Sequence, residues 1–162
     1  MNTINDVKVA DEVWIATALL HLEHPEKTDF TVKASVERAG LENLCPRRPG
    51  VQVHASLHCV ANKPPNPGRL SMLYATGKST RRLFSSRDDV HPLRKGKVTP
   101  DREEIPSKYR YLLDWYETKY RKNQNDRKPP YGKLLALSGL GKEIWKGMNP
   151  DAYVRGLREG WK

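Results

Sequence analysis

Cys45, His54, His58 and Cys59 carry the thiol and imidazole groups that bind zinc, and His54 and His58 stand one helical turn apart. Their spacing matches no zinc finger, no C-x-x-C pair is present, and on a helix Cys59 points away from its neighbour His58, so no metal is expected. The run GLGKE at 139–143 has part of a phosphate loop, but GxxxxGK[ST] needs a hydroxyl after the lysine and Glu143 stands there. No apolar strand precedes it. The carboxylates are scattered in DE, EE and DD pairs near turns, and His21 and His24 lie at a helix end, where the dipole favours cations. Neither carboxylates grouped around a metal nor a nucleophile with its base results. The expectation is a protein without catalysis, cofactor or metal.

The chain does concentrate positive charge. It has 29 Lys and Arg against 19 Asp and Glu, a net +10, an excess that usually meets a polyanion. Between Cys45 and Pro100 eleven Lys and Arg face only Asp88 and Asp89, which places a surplus of nine in that third of the chain. Long cations such as Lys78, Arg81 and Arg82 suit phosphate, where position matters more than direction. Short, oriented donors and acceptors suit base edges, and Gln52, His54 and Ser56 offer these from one helix. Arg47 and Arg48 before that helix, and Lys63 after it, complete the candidate DNA-binding set. Charge alone does not separate DNA from RNA or from an acidic protein partner; the order of the elements that carry it makes duplex DNA the expected one.

These residues need elements to hold them. Residues 11–24 have helical spacing of Val13, Ala16, Leu19 and Leu20 under Asp11 as cap, and Pro25 ends the helix. Thr31 caps a second helix with Val32, Val36 and Ala39 on one face and Gly40 as terminator. Pro46 and Pro49 bar helix from the next turn. A third helix starts at residue 51, with Val53, Leu57, Val60 and Ala61 expected toward the core and Gln52, Ser56 and Asn62 outward. KPPNPG at 63–68 stops it. Alternation of Leu70, Met72 and Tyr74, the turn TGKS and the return TRRLF predict a hairpin.

Residues 92–104 lack apolar periodicity and read as a linker or a second loop crossing the surface. Residues 105–122 predict a helix with Pro106 in its first turn and Tyr109, Leu112, Leu113, Tyr116 and Tyr120 on one stripe, either core or dimer seam. Stacking of such tyrosines on single-stranded bases is a further reading. Residues 123–133 are polar and predict a flexible linker. In 134–162, Asn149 and Pro150 open a short helix carrying Tyr153, Val154, Leu157 and Trp161.

Three helices followed by a hairpin is the order of a winged helix-turn-helix, an α+β fold whose third helix enters the major groove. The runs VWIATALL, FTVKASVERAGL, PGVQVHASLHCVAN and GKSTRRLF resemble bacterial winged-helix domains of restriction-associated and other defence proteins, over residues 10–88. The histidines of helix three depart from that pattern, where Thr and Arg or Lys are expected. The expected organisation is a winged-helix domain at 1–91, a linker at 92–104, the helix 105–122, a linker at 123–133 and a partner-binding tail at 134–162.

The tail has its own resemblance. LLALSGLGKEIWKGMNPDAYVRGLREGW is similar to the partner-binding segment of VapB-type antitoxins, with Gly139, Gly141, Ile144, Trp145, Asp151, Tyr153, Val154, Leu157, Arg158 and Trp161 matching. That resemblance implies a PIN-type ribonuclease toxin as partner, with an Arg or Lys reaching its acidic metal site; Lys142, Arg155 and Arg158 are the candidates. Leu137, Leu140, Ile144, Trp145, Tyr153, Leu157, Arg158 and Trp161 form the expected partner-binding set. Two Trp and several Leu in a short tail after a polar linker suit an interface independently of the resemblance. The tail can alternatively fold back onto helix 105–122 or join two copies as a homodimer.

The first reading is a bacterial antitoxin that represses its own operon and blocks a nuclease. The second is a non-catalytic accessory or protein-interaction module of a restriction or mobile-element system; the third is an RNA-binding factor using Tyr109 or Tyr116. No apolar run reaches membrane-spanning length, and MNTINDVKVADE lacks the basic-then-apolar order of a secretory signal. A cytoplasmic location is expected.

Overall fold

The structure, a computed structural model, describes residues 7–44, 50–126 and 155–156. The chain divides into two compact units, 1–124 and 125–162. Among the described residues of the second unit, Arg155 and Gly156 are helical and exposed. The tail residues expected to bind a partner, and Arg47 and Arg48, lie outside the described residues.

The first unit is mixed α+β. Helix α1 spans Val9–Glu23 and has Ala10 through His21 buried without a break. A helix apolar on nearly every side belongs in the middle of a fold, and its neighbours surround it. Asp11, expected as its cap, instead lies in the first turn and is fully buried; Lys8 holds the cap position without a side-chain bond. Asp11 makes no side-chain hydrogen bond, and Lys97 Nζ at 3.7 Å is its counter-ion. Burial pushes its pKa up, against the pull of Lys97.

Strand β1 is Phe30–Thr31, and helix α2 follows at Val32–Glu42. The Thr31 hydroxyl accepts the Ala34 N–H at 3.1 Å, as expected of a cap. Gly40 does not end the helix. It continues to Glu42 and stops at Asn43, left-handed at φ 46°, a conformation that Asn tolerates better than other side chains with a Cβ. Arg38 ties its C-terminal half to α1, chelating Glu23 and reaching Glu42 at 2.6 Å.

Helix α3, Val51–Val53, runs directly into a π-helical turn at His54–His58. Strands β2, Leu73–Ala75, and β3, Thr80–Leu83, form the hairpin, and β3 also pairs with β1. The sheet order is β1-β3-β2, all antiparallel, with Phe30 opposite Arg81 and Leu73 opposite Leu83. Beyond the π turn the chain bonds straight onto β2: Leu73 N–H donates to Cys59 O at 2.8 Å and Ala61 N–H to Leu73 O at 2.7 Å. Asn62, expected to face outward, extends that seam with its amide, accepting from Ala75 N and donating to Ala75 O.

Residues 92–104 run as a loop bonded to the rest of the first unit. Pro100 and Arg94 are buried, Ser71 N–H donates to Lys97 O at 3.0 Å and Gly96 N–H to Arg69 O at 3.0 Å. A Cβ at Gly96 would collide with that Arg69 carbonyl, so the close approach requires glycine. Lys97 joins Asp101 at 2.9 Å and Glu104 at 2.8 Å, and Glu104 also pairs with Lys8. The segment carries no periodicity because its backbone is held by carbonyl-directed cations and ion pairs rather than by an apolar face.

The last helical stretch comprises a 3-10 turn at Ser107–Tyr109, α4 at Arg110–Trp115, a π turn at Tyr116–Tyr120 and α5 at Arg121–Asp126. Tyr109, Leu112, Tyr116 and Tyr120 are buried, as a core stripe requires. Trp14 meets Tyr116 edge-on at 5.7 Å. The tyrosine hydroxyls donate inward, Tyr116 to Phe84 O at 2.5 Å, Tyr120 to Leu83 O at 3.0 Å and Tyr109 to Glu42. Tyr109 and Tyr116 therefore lack the exposed faces that base stacking needs.

Candidate nucleic-acid interface

The candidate residues fall on α3 with its π turn, the loop after it and the hairpin. The wider π turn changes which side chains reach the core. Ala55, Cys59, Val60 and Ala61 are buried, whereas Val53, expected inside, is 46% exposed. Gln52 is exposed beside it. A π turn shifts each later side chain relative to the 3.6-residue period, so an α-helical stripe drawn through Val53 and Leu57 fails here.

The π turn leaves the carbonyls of Ser56 and His58 without a helical N–H, and cations take them together with Leu57 O, which also accepts from Val60 N–H at 3.2 Å. Ser56 O accepts from Arg81 Nη2 at 3.1 Å and from Lys63 Nζ at 3.3 Å. Leu57 O and His58 O accept from Arg94 at 2.7 and 2.8 Å. The same Arg94 guanidinium reaches Lys63 O at 2.5 Å, Leu70 O at 2.6 Å and Pro64 O at 3.3 Å, and holds both ends of the 63–70 loop to the helix. Arg94 is 4% exposed, and burial depresses its pKa.

Arg81 and Arg82 are not presented to phosphate. Arg81 is 1% exposed, and besides Ser56 O its guanidinium binds Thr80 O at 2.7 Å and Gly77 O at 3.0 Å. It fastens the hairpin turn to the end of helix three. Arg82 forks onto Asp88 at 2.7 and 2.5 Å and lies over the Tyr74 ring at 4.6 Å. Burial opposes the charge on Arg82, but the Asp88 bonds and charge outweigh it and its pKa rises. Partners for these two come from carbonyls and a carboxylate that local spacing does not reveal.

What remains outward is a smaller set. Lys78 is exposed in the hairpin turn, and Arg69, Arg87 and Lys95 are exposed on the loops that precede β2 and follow β3. Lys63 is half-buried with its pKa lowered, first by burial and then by Arg81. Ser56 is half-buried, and its hydroxyl donates to Gln52 O. His54 Nδ1 lies 2.9 Å from Gly50 O; a carbonyl only accepts, so Nδ1 bears a proton in this contact. His58 stacks edge-on against His54 at 4.7 Å, and burial together with His54 and Arg94 lowers its pKa. The structure thus brings Gln52, His54, Ser56, Lys63 and the base of the hairpin turn together.

Beside Gln52 a concavity of about 440 Å³ opens between α2 and α3, lined also by Val32, Lys33, Val36 and Glu37. Lys33 and Glu37 pair at 3.7 Å across one turn of α2. No group of three or more His, Cys, Asp and Glu with metal-binding geometry occurs among the described residues, and none of their helices is long and apolar enough to cross a membrane. Comparison with protein-family models, with curated proteins and with solved structures returns no match for this chain.

Proposed function

We propose that the first unit is a winged helix that binds duplex DNA, with α3 and its π turn at the major groove and the hairpin turn at the backbone. The observation carrying this reading is the element order, three helices and then a hairpin whose return strand pairs with the strand ahead of helix two. Exposed Lys78, Arg69, Arg87 and Lys95 supply the phosphate-directed charge, and Gln52 and His54 supply oriented polar groups. Arg81 and Arg94 have a different role from the exposed cations. They fix helix three to the hairpin and the loop, so that the two contacting elements keep one spacing.

The second part of the proposal concerns residues 134–162. Their VapB-type pattern supports a role as the segment that captures a nuclease toxin of the PIN type, which makes the whole chain an antitoxin and repressor. The accessory-module reading differs in requiring the basic surface to dock on protein.

Titration of a labelled random duplex with the full chain, between about 50 and 200 mM salt, separates these. DNA binding gives a log–log salt slope of about −3 to −4, set by the exposed cations. Equal or tighter binding to single strands, or a flat response to salt, contradicts the duplex reading. Co-purification with a PIN-type ribonuclease, lost on deletion of 134–162 while duplex binding persists, tests the tail.

A further inference from the structure

Gln52 and Val53 are consecutive, both exposed, and both at the start of helix three. The π turn that follows supplies the core contacts through Ala55, Cys59 and Val60. Val53 is not among the partly buried apolar side chains that pack against that core, although Val51 is. A branched aliphatic side chain with about half of its surface in solvent adds little to the core, and its position beside an exposed primary amide suggests recognition.

From these positions we propose that the pair reads A·T base pairs, with Gln52 bound to an adenine edge and Val53 packed on a thymine methyl within one base step. This rests on the duplex-binding reading. A glutamine amide presents one donor and one acceptor side by side, which matches adenine N6–H and N7 in the major groove. Thymine is the one base whose major-groove edge carries a methyl group, and valine offers only methyls to meet it. Consecutive helical residues are about 1.5 Å apart along the axis and about 100° apart around it, so the two side chains diverge from one level of the helix and reach neighbouring edges of the same or the adjacent base pair.

The surroundings favour DNA over an apolar protein segment as occupant. The concavity next to Gln52 carries Lys33, and Lys63 lies against Ser56 one turn further along. Of the exposed charged residues between 50 and 100, the cations Arg69, Lys78, Arg87 and Lys95 outnumber Asp89. A polyanion with an apolar methyl in its groove satisfies both features at once. Glu37 is the one acidic side chain on the concavity, and Lys33 pairs with it.

The test selects duplexes from a random library with the full chain, then resynthesises the enriched site with each thymine replaced singly by uracil, which removes only the methyl. In the wild type, uracil at one position of the site weakens binding about fourfold, the value of one buried methyl. In Val53→Ala that discrimination disappears, while the salt slope and thermal midpoint stay as in the wild type. Gln52→Ala loses about tenfold or more at one A·T pair. Indifference to uracil at every position, or uracil sensitivity that persists in Val53→Ala, overturns the assignment and leaves duplex binding standing. Failure to enrich any duplex overturns both this inference and the duplex-binding reading on which it rests.

Discussion

Replacing Arg94 with Met removes a guanidinium that serves five carbonyls, on Leu57, His58, Lys63, Pro64 and Leu70, while preserving much of the side-chain volume. Five charge-assisted bonds at about 2 kcal/mol each would suggest about 10 kcal/mol. That overstates the loss, because the variant also escapes the desolvation of a buried cation. The carbonyls of the loop residues Lys63 and Pro64 regain water most readily. Leu57 O keeps the Val60 N–H at 3.2 Å, so two carbonyls, on His58 and Leu70, lose their donor, and at about 2 kcal/mol each they give a net destabilisation of about 4 kcal/mol. Urea unfolding followed by tryptophan fluorescence measures it: with an m-value of about 2 kcal/mol/M, the midpoint falls by about 2 M. Arg94→Lys recovers less than half, since an ammonium has three donors and no planar fork. A loss below about 1 kcal/mol for Arg94→Met would refute the reasoning that this cation closes helix three and its loop.

Other variants probe separate parts of the account. Lys78→Ala leaves stability unchanged and reduces the magnitude of the salt slope for duplex binding by about 1, whereas Arg81→Ala lowers the thermal midpoint; an unchanged midpoint for Arg81→Ala counts against its buried role. Thr31→Ala costs about 1 kcal/mol by urea unfolding through loss of the bond to Ala34 N, and a neutral result removes the cap from the account. Asp11 has its pKa raised on folding, so its protonated form favours the folded state and its contribution is lost as pH rises through the folded pKa. Asp11→Asn is therefore more stable than wild type at pH 7, by roughly 1 kcal/mol, with the gain shrinking as pH falls through the raised folded pKa and gone below the ordinary carboxylate range. A gain that instead grew in acid would show the sign to be wrong.

Local patterns made part of this fold legible. Thr31 as cap, the turn at 76–79 and the tyrosine stripe of 105–122 are each decided within a few residues, by a hydroxyl at a helix start, a glycine between short strands and a 3.6-residue period. Val53 was not legible, because a π turn leaves no mark in the apolar spacing that precedes it. Gly40 misled for a related reason: glycine permits a helix to end, but Asn43 supplies the left-handed residue where this one does. The largest discrepancy concerns charge. A count of Lys and Arg from 45 to 100 treats Arg81, Arg82, Arg94 and Lys97 as surface, whereas carbonyls and carboxylates brought in by the fold hold all four. Arg94 reaches carbonyls 24 to 37 residues away, and no local pattern announces such a partner. The candidate interface is accordingly narrower and more polar than composition alone implies.

Backbone amide chemical-shift mapping of the full chain, titrated with a duplex at low salt, tests the central claim most directly. The account predicts shifts concentrated on residues 50–58, on the loop at 63–70 and on the hairpin turn at 76–79. Shifts confined to the helical stretch 105–122, or a spectrum unchanged by saturating duplex, would contradict it.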